Sequence, residues 1–491
     1  TAKSFERANE VGVRKVMGAE KGQLVKQFLS ESLLINLLAT VLAVLIVIIS
    51  WPSFARLAGR EIPLTYVIDG QFWLLVSGLF LVGTILSGFY PALVLSSFRP
   101  VAVLKGKIMK SSGGNFMRKG LVVFQFVASV ILISGTIIVY QQMNFMKNRD
   151  LGVDINQTLV LEGPGITDSL YDQNLEGFKK EALKIAGVKR ITAASNIPGD
   201  EIYWTNGIRR LQGGPESSLT VYNVGIDQDY VPAFDLKMVA GRNFDQKFSN
   251  DNERVLLNRE LAEALDFEPV ESAVGEKVRV GGDTMEVAGI LENYHQMSLK
   301  NKVRPLVFRF TTSSSFYSLK VASDNYQDVL TAVQKPWDTF FPGNPVDYFF
   351  LDSFFNKQYE SDRQFGQLFS LFSLLAIFVA SLGLFGLASF LTLQRTKEVG
   401  IRKVLGSKVS SIVLLLSKGF IQLVLVANLI AWPLAWWVMD SWLASFPYRI
   451  DINPLLFLGA GLGVVIIAFL SVGFQTLKAA LLNPAETLKY E

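Results

Sequence analysis

Two short stretches of this chain place charged residues and glycines at a repeated spacing. They read ERANEVGVRKVMGA from Glu6 to Ala19 and QRTKEVGIRKVLGS from Gln394 to Ser407. Glu10 and Glu398, Gly12 and Gly400, Arg14 and Arg402, Lys15 and Lys403, and Gly18 and Gly406 all stand 388 positions apart. The register holds without a gap, so the chain contains a duplication. Glu10, Arg14 and Lys15, with Val11, Val13, Val16 and Met17, fit a short amphipathic helix closed by Gly18 as its C-cap. The chemistry such a helix offers is recognition: its charges face a partner while its apolar side rests on lipid or on neighbouring helices. A single copy would read as a basic interfacial anchor that only sets topology. Two copies with Glu, Gly, Arg, Lys and Gly in register favour a specific contact.

Other chemistry finds little support. A phosphate-binding loop needs GxxxxGK followed by Ser or Thr, so that backbone N–H groups cradle phosphate and the hydroxyl holds magnesium. Gly113, Gly114 and Gly120 do not meet that pattern, and Gly406-Ser407-Lys408 lacks both the spacing and the hydroxyl. There is no cysteine, which excludes disulfides and thiolate sites, and His295 is the only histidine, which excludes multi-histidine metal sites. The sequence thus predicts no catalytic residue, no metal and no cofactor. Asp200 and Glu201 beside Tyr203 and Trp204 have the composition of a sugar site, but a polar turn next to a packed aromatic pair is the commoner arrangement.

The elements that would position the two motifs are set by composition. Half of the residues are hydrophobic and only 18% are charged, as in a polytopic membrane protein that carries one globular domain. Six runs reach the roughly 20 residues needed to cross a bilayer: Phe28 to Ser50, Phe72 to Ser96, Gly120 to Tyr140, Gly366 to Leu393, Ser411 to Val438 and Pro454 to Leu477. Arg7, Arg14, Lys15, Lys21 and Lys26 precede the first run, and Arg99, Lys105, Lys107, Lys110, Arg118 and Lys119 follow the second without a single acid. Lys and Arg bias therefore puts both motifs in the cytoplasm and the block between the third and fourth runs outside. The net charge of +4 is too small to imply nucleic acid. Within the runs only Glu31 and Lys418 are ionisable, both near the cytoplasmic end and able to snorkel, which argues against a proton relay. Small residues such as Ser381, Gly383, Gly386, Ala388 and Ser389, and Gly459, Gly461 and Gly463, suit close helix packing.

The external block, Met143 to Asp362, reads as α+β. Strands are expected at Thr158 to Leu161, Leu219 to Val224, Val255 to Leu257, Lys277 to Val280, Met285 to Ile290, Pro305 to Phe310 and Ser318 to Val321. Helices are expected at Asp168 to Ile185, Arg259 to Leu265 and Tyr326 to Phe340. The spans flanking the block continue beyond the bilayer as stalks, through QQMNFMKNRDLG on one side and FLDSFFNKQYESDRQF on the other. In the second stalk Phe350, Phe354, Phe355 and Tyr359 recur at helical spacing.

The twin motifs, the spans and the large external block together resemble permeases of ATP-binding cassette transporters of the FtsX and MacB type, in the fused two-unit form common in Bacteroidetes. The resemblance covers essentially the whole chain. It implies residues 1–110 as the end of a first unit, 111–142 as the first span of a second, 143–362 as a MacB-like periplasmic core domain, and 363–491 as the remaining three spans. The expectation is a longer protein of eight spans and two external domains, whose first span and first domain would precede Thr1; a first copy that never had those parts is the alternative. The fold class expected is a polytopic α-helical membrane protein with an α+β extracytoplasmic domain, in the bacterial inner membrane. Glu10, Gly12, Arg14, Lys15, Gly18, Glu398, Gly400, Arg402, Lys403 and Gly406 would then lie in coupling helices that meet a cytoplasmic ABC ATPase dimer. Its hydrolysis would move the external domain by mechanotransmission, for export or extraction of a substrate. Membrane lipids are the other partner, and the resemblance leaves room for a periplasmic adaptor and an outer-membrane channel. The alternative function is FtsX-like regulation of a periplasmic partner such as a cell-wall hydrolase.

Overall fold

The computed structural model describes residues 14, 17–59, 63–97, 112–212, 218–248, 250–313, 315–322 and 326–481. The chain divides into a helical unit, Thr1–Gln141, Ser361–Trp442 and Asp451–Glu491, and a sheet unit, Gln142–Glu360 with Leu443–Ile450.

In the helical unit the apolar runs become α1 (Lys21–Leu57), α2 (Gly70–Ser97) and α3 (Ser112–Asn148), the last of which ends inside the sheet unit. Among the described residues six helices are long and apolar enough to cross a membrane: Gly22–Leu57, Gly70–Gly88, Lys119–Asn148, Leu351–Ser389, Val409–Leu443 and Leu455–Lys478. They fall where hydropathy predicts them. In lipid every backbone N–H and C=O must be paired within the segment, and an unbroken helix does this.

The sheet unit opens with β1 (Thr158–Glu162), α4 (Tyr171–Ala182), β2 (Val188–Ala194), β3 (Thr205–Arg210), β4 (Leu219–Ile226), α5 (Tyr230–Ala233), β5 (Met238–Gly241) and β6 (Arg254–Asn258). It continues with α6 (Arg259–Ala264), β7 (Lys277–Val280), β8 (Asp283–Leu291), β9 (Leu306–Phe310), β10 (Phe316–Val321), α7 (Tyr326–Phe340), β11 (Tyr348–Phe350) and α8 (Leu351–Asn356). After a 3-10 turn at Lys357–Tyr359 the helical unit resumes with α9 (Glu360–Gln394), α10 (Thr396–Val404), α11 (Val409–Leu443) and α12 (Leu455–Leu481).

Strands β4, β3, β7, β8, β6 and β9 run in that order, and a parallel pairing of β9 with β4 closes them into a barrel. Its inward residues, among them Ile208, Val221, Val255, Leu257, Val278, Val280, Val287, Ile290 and Val307, form one core. Four of the remaining strands extend the sheet as β2, β10, β1 and β11, all antiparallel, joined to the barrel by Ala194 opposite Ile226. Helices α4 and α7 cover this extension. Leu175, Phe178 and Ala182 of α4 and Val329, Val333 and Trp337 of α7 recur at helical spacing and bury against Leu159, Leu161, Ile191, Tyr317 and Leu319. The rings of Phe178 and Trp337 meet edge to face at 5.5 Å. Where β5 lies along β8, Gly241 at φ +76° faces Gly289. A Cβ on Gly241 would stand 2.3 Å from the Ala288 carbonyl oxygen, so only glycine permits this approach.

The seven expected strands are present, and β2, β3, β5 and β11 add to them. In the second stalk the structure differs from the continuous helical reading at two residues, Phe350 and Tyr359, the latter lying in the 3-10 turn. Phe350 ends β11, whereas Phe354 and Phe355 lie in α8.

Helices α3, α9, α11 and α12 pack around Val122, Phe126, Val130, Ala380, Leu384, Ala388, Phe420, Val424, Ala427, Ala431, Val464 and Ala468. Alanine at five of these places lets the backbones close up. The expected glycines divide. A Cβ on Gly383 would come within 2.8 Å of Gln125 Oε1, and one on Gly461 within 2.7 Å of Asn428 Oδ1, whereas Gly386, Gly459 and Gly463 face open space. In the first hairpin the Asn36 amide donates to Ser87 Oγ at 2.8 Å and ties α1 to α2.

A buried carboxylate pins the barrel. Asp251, with its side chain 0% exposed, accepts two hydrogen bonds from the Arg242 guanidinium at 2.5 and 2.9 Å and one from the Asp245 N–H at 2.9 Å. Burial alone would raise its carboxyl, but these donors outweigh burial and hold it below its ordinary value. A carboxyl depressed in the folded state stabilises above the unfolded pKa and loses that effect as pH falls through the folded one. Asp251→Asn is therefore expected to cost about 2–4 kcal/mol at neutral pH, because it leaves Arg242 without its counter-charge. Thermal unfolding in detergent should show the gap to wild type narrowing below about pH 4.

Candidate functional site

The second motif forms α10, Thr396–Val404, with Arg395 as its N-cap. Val399, 5% exposed, packs with Ile412 and Leu416 of α11 and Ala480 of α12, which fixes the face that α10 turns inward. Gly400 is buried beside it. On the open face Glu398 Oε1 and Arg402 Nη2 form an ion pair at 2.9 Å with both side chains nearly half exposed. A glutamate four residues before an arginine is the favourable order, and acid in the first turn with Arg402 and Lys403 in the last complements the helix dipole. Such an exposed pair adds only about 0.3–0.5 kcal/mol. Lys403 is half-buried on the same turn.

The helix ends on Gly406 at φ +86°, with the Ser407 N–H donating to the Arg402 carbonyl at 3.0 Å. The first motif ends the same way. Gly18 has φ +94°, and the Ala19 N–H donates to the Arg14 carbonyl, again at 3.0 Å. Both are left-handed glycine caps with the six-to-one hydrogen bond of the Schellman motif. The residue just before each glycine is apolar and open: Met17 is 82% exposed and Leu405 78%. Ile401 and Val404 add exposed apolar surface to α10.

The copies differ in how their arginines are held. Arg14 donates Nη1 to Gln27 Oε1 at 2.6 Å, and Gln27 passes its Nε2 to Glu31 Oε1 at 3.1 Å, so the first elbow is tethered to α1. Leu415 and Gly419 occupy the equivalent places in the second copy, and Arg402 turns to Glu398 instead. Glu10, Gly12 and Lys15 lie outside the described residues. Gln27 was not readable as a functional residue; its one sequence signal is a polar side chain at the mouth of an apolar run, four positions before Glu31.

The other sequence candidates belong to the sheet unit. Asp200 accepts from Asn196 Nδ2 at 2.7 Å, and burial raises its carboxyl above the ordinary range. Glu201 takes Arg304 Nη1 at 2.5 Å. Tyr203 is 86% exposed, so the aromatic pair there is not packed as expected; Trp204 lies under Arg309, 5.5 Å from ring to guanidinium. The His295 N–H is paired with the Leu151 carbonyl at 2.8 Å.

Known protein families bear on both units. The FtsX-like permease C-terminal model matches residues 2–100 and 370–484, and the MacB-like periplasmic core domain model matches residues 123–335. The chain belongs to the FtsX/MacB-like family of ABC transporter permeases. The permease is 33% identical over 105 residues to the macrolide export ATP-binding/permease protein MacB of Sodalis glossinidius, covering 21% of this chain and 15% of that protein. It is 24% identical over 200 residues to the protein of the same name from Bartonella quintana, covering 38% of this chain and 30% of that one. The chain thus spans less than a third of the length of these relatives. Among solved structures it is similar to the periplasmic region of MacB from Actinobacillus actinomycetemcomitans, with 12% identity, 41% of this chain and 92% of that chain covered, and a TM-score of 0.30.

The caps can be tested by themselves. A Cβ on Gly406 would meet nothing within 4 Å, so Gly406→Ala carries only the left-handed backbone cost of about 1–2 kcal/mol. Amide exchange at Leu405 to Ser407 should quicken by roughly tenfold in Gly406→Ala and much less in Gly406→Asn, since asparagine visits this conformation readily.

Proposed function

We propose that this chain is the membrane subunit through which a separate cytoplasmic ABC ATPase dimer moves an external domain, so that a substrate is exported or extracted on the outer side of the inner membrane by mechanotransmission. The observation that carries the reading is the recurrence of one elbow. Two segments 388 residues apart end on the same left-handed glycine, present an arginine whose carbonyl closes the cap, and expose an apolar residue just before it. A protein-binding surface typically joins an exposed apolar anchor to charged groups at its rim, which Leu405 with Glu398 and Arg402 supplies. Glu10, Gly12, Lys15, Gly400 and Lys403 complete the two coupling elements.

The orientation follows from charge. Both elbows lie among lysines and arginines, which belong on the cytoplasmic side of short loops. With six spans, that order puts residues 143–362 in the periplasm. Movement of the elbows has a path outward, because α3 runs without a break from Ser112 to Asn148 and α9 starts one 3-10 turn after α8. Glu31 and Lys418 are the ionisable residues inside the spans, and both sit near the cytoplasmic ends. That arrangement favours a transmitter over a polar conduit through the helices. The duplication favours transport, since one polypeptide supplies two docking elements for a dimeric motor. A periplasmic adaptor and an outer-membrane channel are compatible further partners.

Purification in detergent from cells with the neighbouring proteins in place provides the test. The double variant Arg14→Glu, Arg402→Glu is expected to insert normally and to lose the copurifying ATPase together with its ATP hydrolysis. Retention of a bound, active ATPase by that variant would show that the elbows are not where the motor docks.

A further inference from the structure

The connection between α11 and α12, Leu443–Ile450, belongs to the sheet unit, although both helices belong mainly to the helical unit. A small group of side chains holds it there. Gln142, fully buried near the end of α3, donates Nε2 to the Tyr448 carbonyl at 2.9 Å and accepts the Ile450 N–H at 3.0 Å. One amide thus satisfies two backbone groups across more than 300 residues, and burying it unpaired would be costly. The Tyr448 ring is held from two directions. The Arg149 guanidinium lies 4.9 Å from its centroid, and His295 meets it edge to face at 5.0 Å and 89°. Burial, with Arg149 alongside, pushes His295 below its ordinary value, so at neutral pH the ring meets Tyr448 uncharged. Leu443 and Phe446, 1% and 7% exposed, bury the apolar side of the connection.

We propose that this clasp is a third transmission link, in which Gln142, Arg149, His295 and Tyr448 are positioning residues. The proposal rests on the coupling reading above. The elbow helix α10 ends at Val404, α11 begins at Val409, and α11 then continues for 35 residues to Leu443, the first residue of the clasped connection. A displacement of α10 therefore reaches the sheet unit along one helix and through Tyr448, without passing along α3 or α9. Gln142 sits at the point where α3 enters the sheet unit, so the clasp ties the outer ends of two separate paths to each other.

The test uses the full chain with its copurifying ATPase in lipid nanodiscs. Amide exchange is compared without nucleotide and with ATP plus vanadate, in wild type, Gln142→Leu, Tyr448→Ala and Tyr448→Phe. In wild type, ATP is expected to change exchange around residues 149–153 and 293–297. In Gln142→Leu and Tyr448→Ala, exchange across residues 444–451 should rise by about tenfold, the ATPase should stay bound, and the response to ATP should fall by more than half. Tyr448→Phe keeps the ring and should match wild type. If the first two variants keep the protection of 444–451, there is no clasp. If they lose it while the response to ATP keeps its full size, the clasp does not transmit. Either result overturns the inference and leaves the coupling reading standing. A wild type whose 149–153 and 293–297 segments ignore ATP overturns it as well. A wild-type chain that brings down no ATPase refutes the coupling reading, and this inference falls with it.

Discussion

A peptide backbone in hydrocarbon has nothing to bond to except itself, and that constraint governs how this chain is built. It forces each apolar run into a continuous helix. It also sets a length: roughly 20 residues cover the hydrocarbon, while α3 has 37 residues and α9 and α11 have 35 each. At 1.5 Å per residue α3 extends about 55 Å against a hydrocarbon thickness of about 30 Å. The surplus residues therefore lie outside the hydrocarbon, still helical, and the last of them, Gln142 to Asn148, are part of the sheet unit, where Gln142 and Met146 are buried. Regular helix leads from one unit to the other where a loop would have been the ordinary solution. A loop would absorb displacement, whereas a continuous ladder of hydrogen bonds passes it on.

Duplication has preserved the cap of each elbow and changed its surroundings. A left-handed residue after a helix depends only on local backbone geometry, so Gly18 and Gly406 reach φ +94° and +86° although their neighbours differ. The side chains around them depend on which helix is nearby. Arg14 finds Gln27 on α1, and Arg402 finds Glu398 one turn back on its own helix. The first elbow is thus tied to a span, while the second rests on Val399 against α11 and α12. On the proposed reading the two docking elements are alike to the motor and unlike to the membrane helices behind them.

What could be read from the sequence follows the range of the forces involved. The spans were legible because length and apolarity are local properties, and the glycine caps because they need one residue type. Strands such as β8 and β9 announced themselves by β-branched and aromatic residues. β2 was hidden by Lys189 and Arg190, which point outward on consecutive exposed positions, and β11 by aromatic residues whose spacing suits a helix equally well. Phe350 shows the ambiguity: it pairs with Leu159 of β1 and in the same place serves as the N-cap of α8. The clasp lay beyond any local signal. Nothing near Gln142 in sequence specifies Tyr448 or Ile450, and a lone histidine such as His295 reads as incidental until the loop that covers it is placed.

Closure of the barrel determines where the sheet unit can yield. Pairing β9 with β4 leaves the barrel strands partnered on both sides, and the buried Asp251 with Arg242 fixes the turn before β6. Aromatic packing of Phe178, Tyr317, Trp337 and Phe341 stiffens the extension in the same way. A body packed to this density transmits strain more readily than it stores it. On the proposed reading, movement is taken up where regular structure pauses. On the first stalk that is the stretch between Asn148 and β1, on the second the 3-10 turn at Lys357–Tyr359, and on the third chain connection the segment held at Tyr448. All three are pinned by side chains whose partners lie far away in sequence; on the first, Lys320 Nζ donates to the carbonyls of Asp154 and Asn156 at 2.7 and 3.0 Å. Tyr359 accepts the Leu299 N–H on its hydroxyl oxygen at 3.0 Å, and Gln358 accepts the Ser298 N–H at 2.8 Å, so the 3-10 turn is anchored to the loop after His295. The loop that follows β8, from His295 to Leu299, therefore meets all three connections: its His295 N–H donates to the Leu151 carbonyl on the first, Ser298 and Leu299 hold the second, and the His295 ring meets Tyr448 on the third.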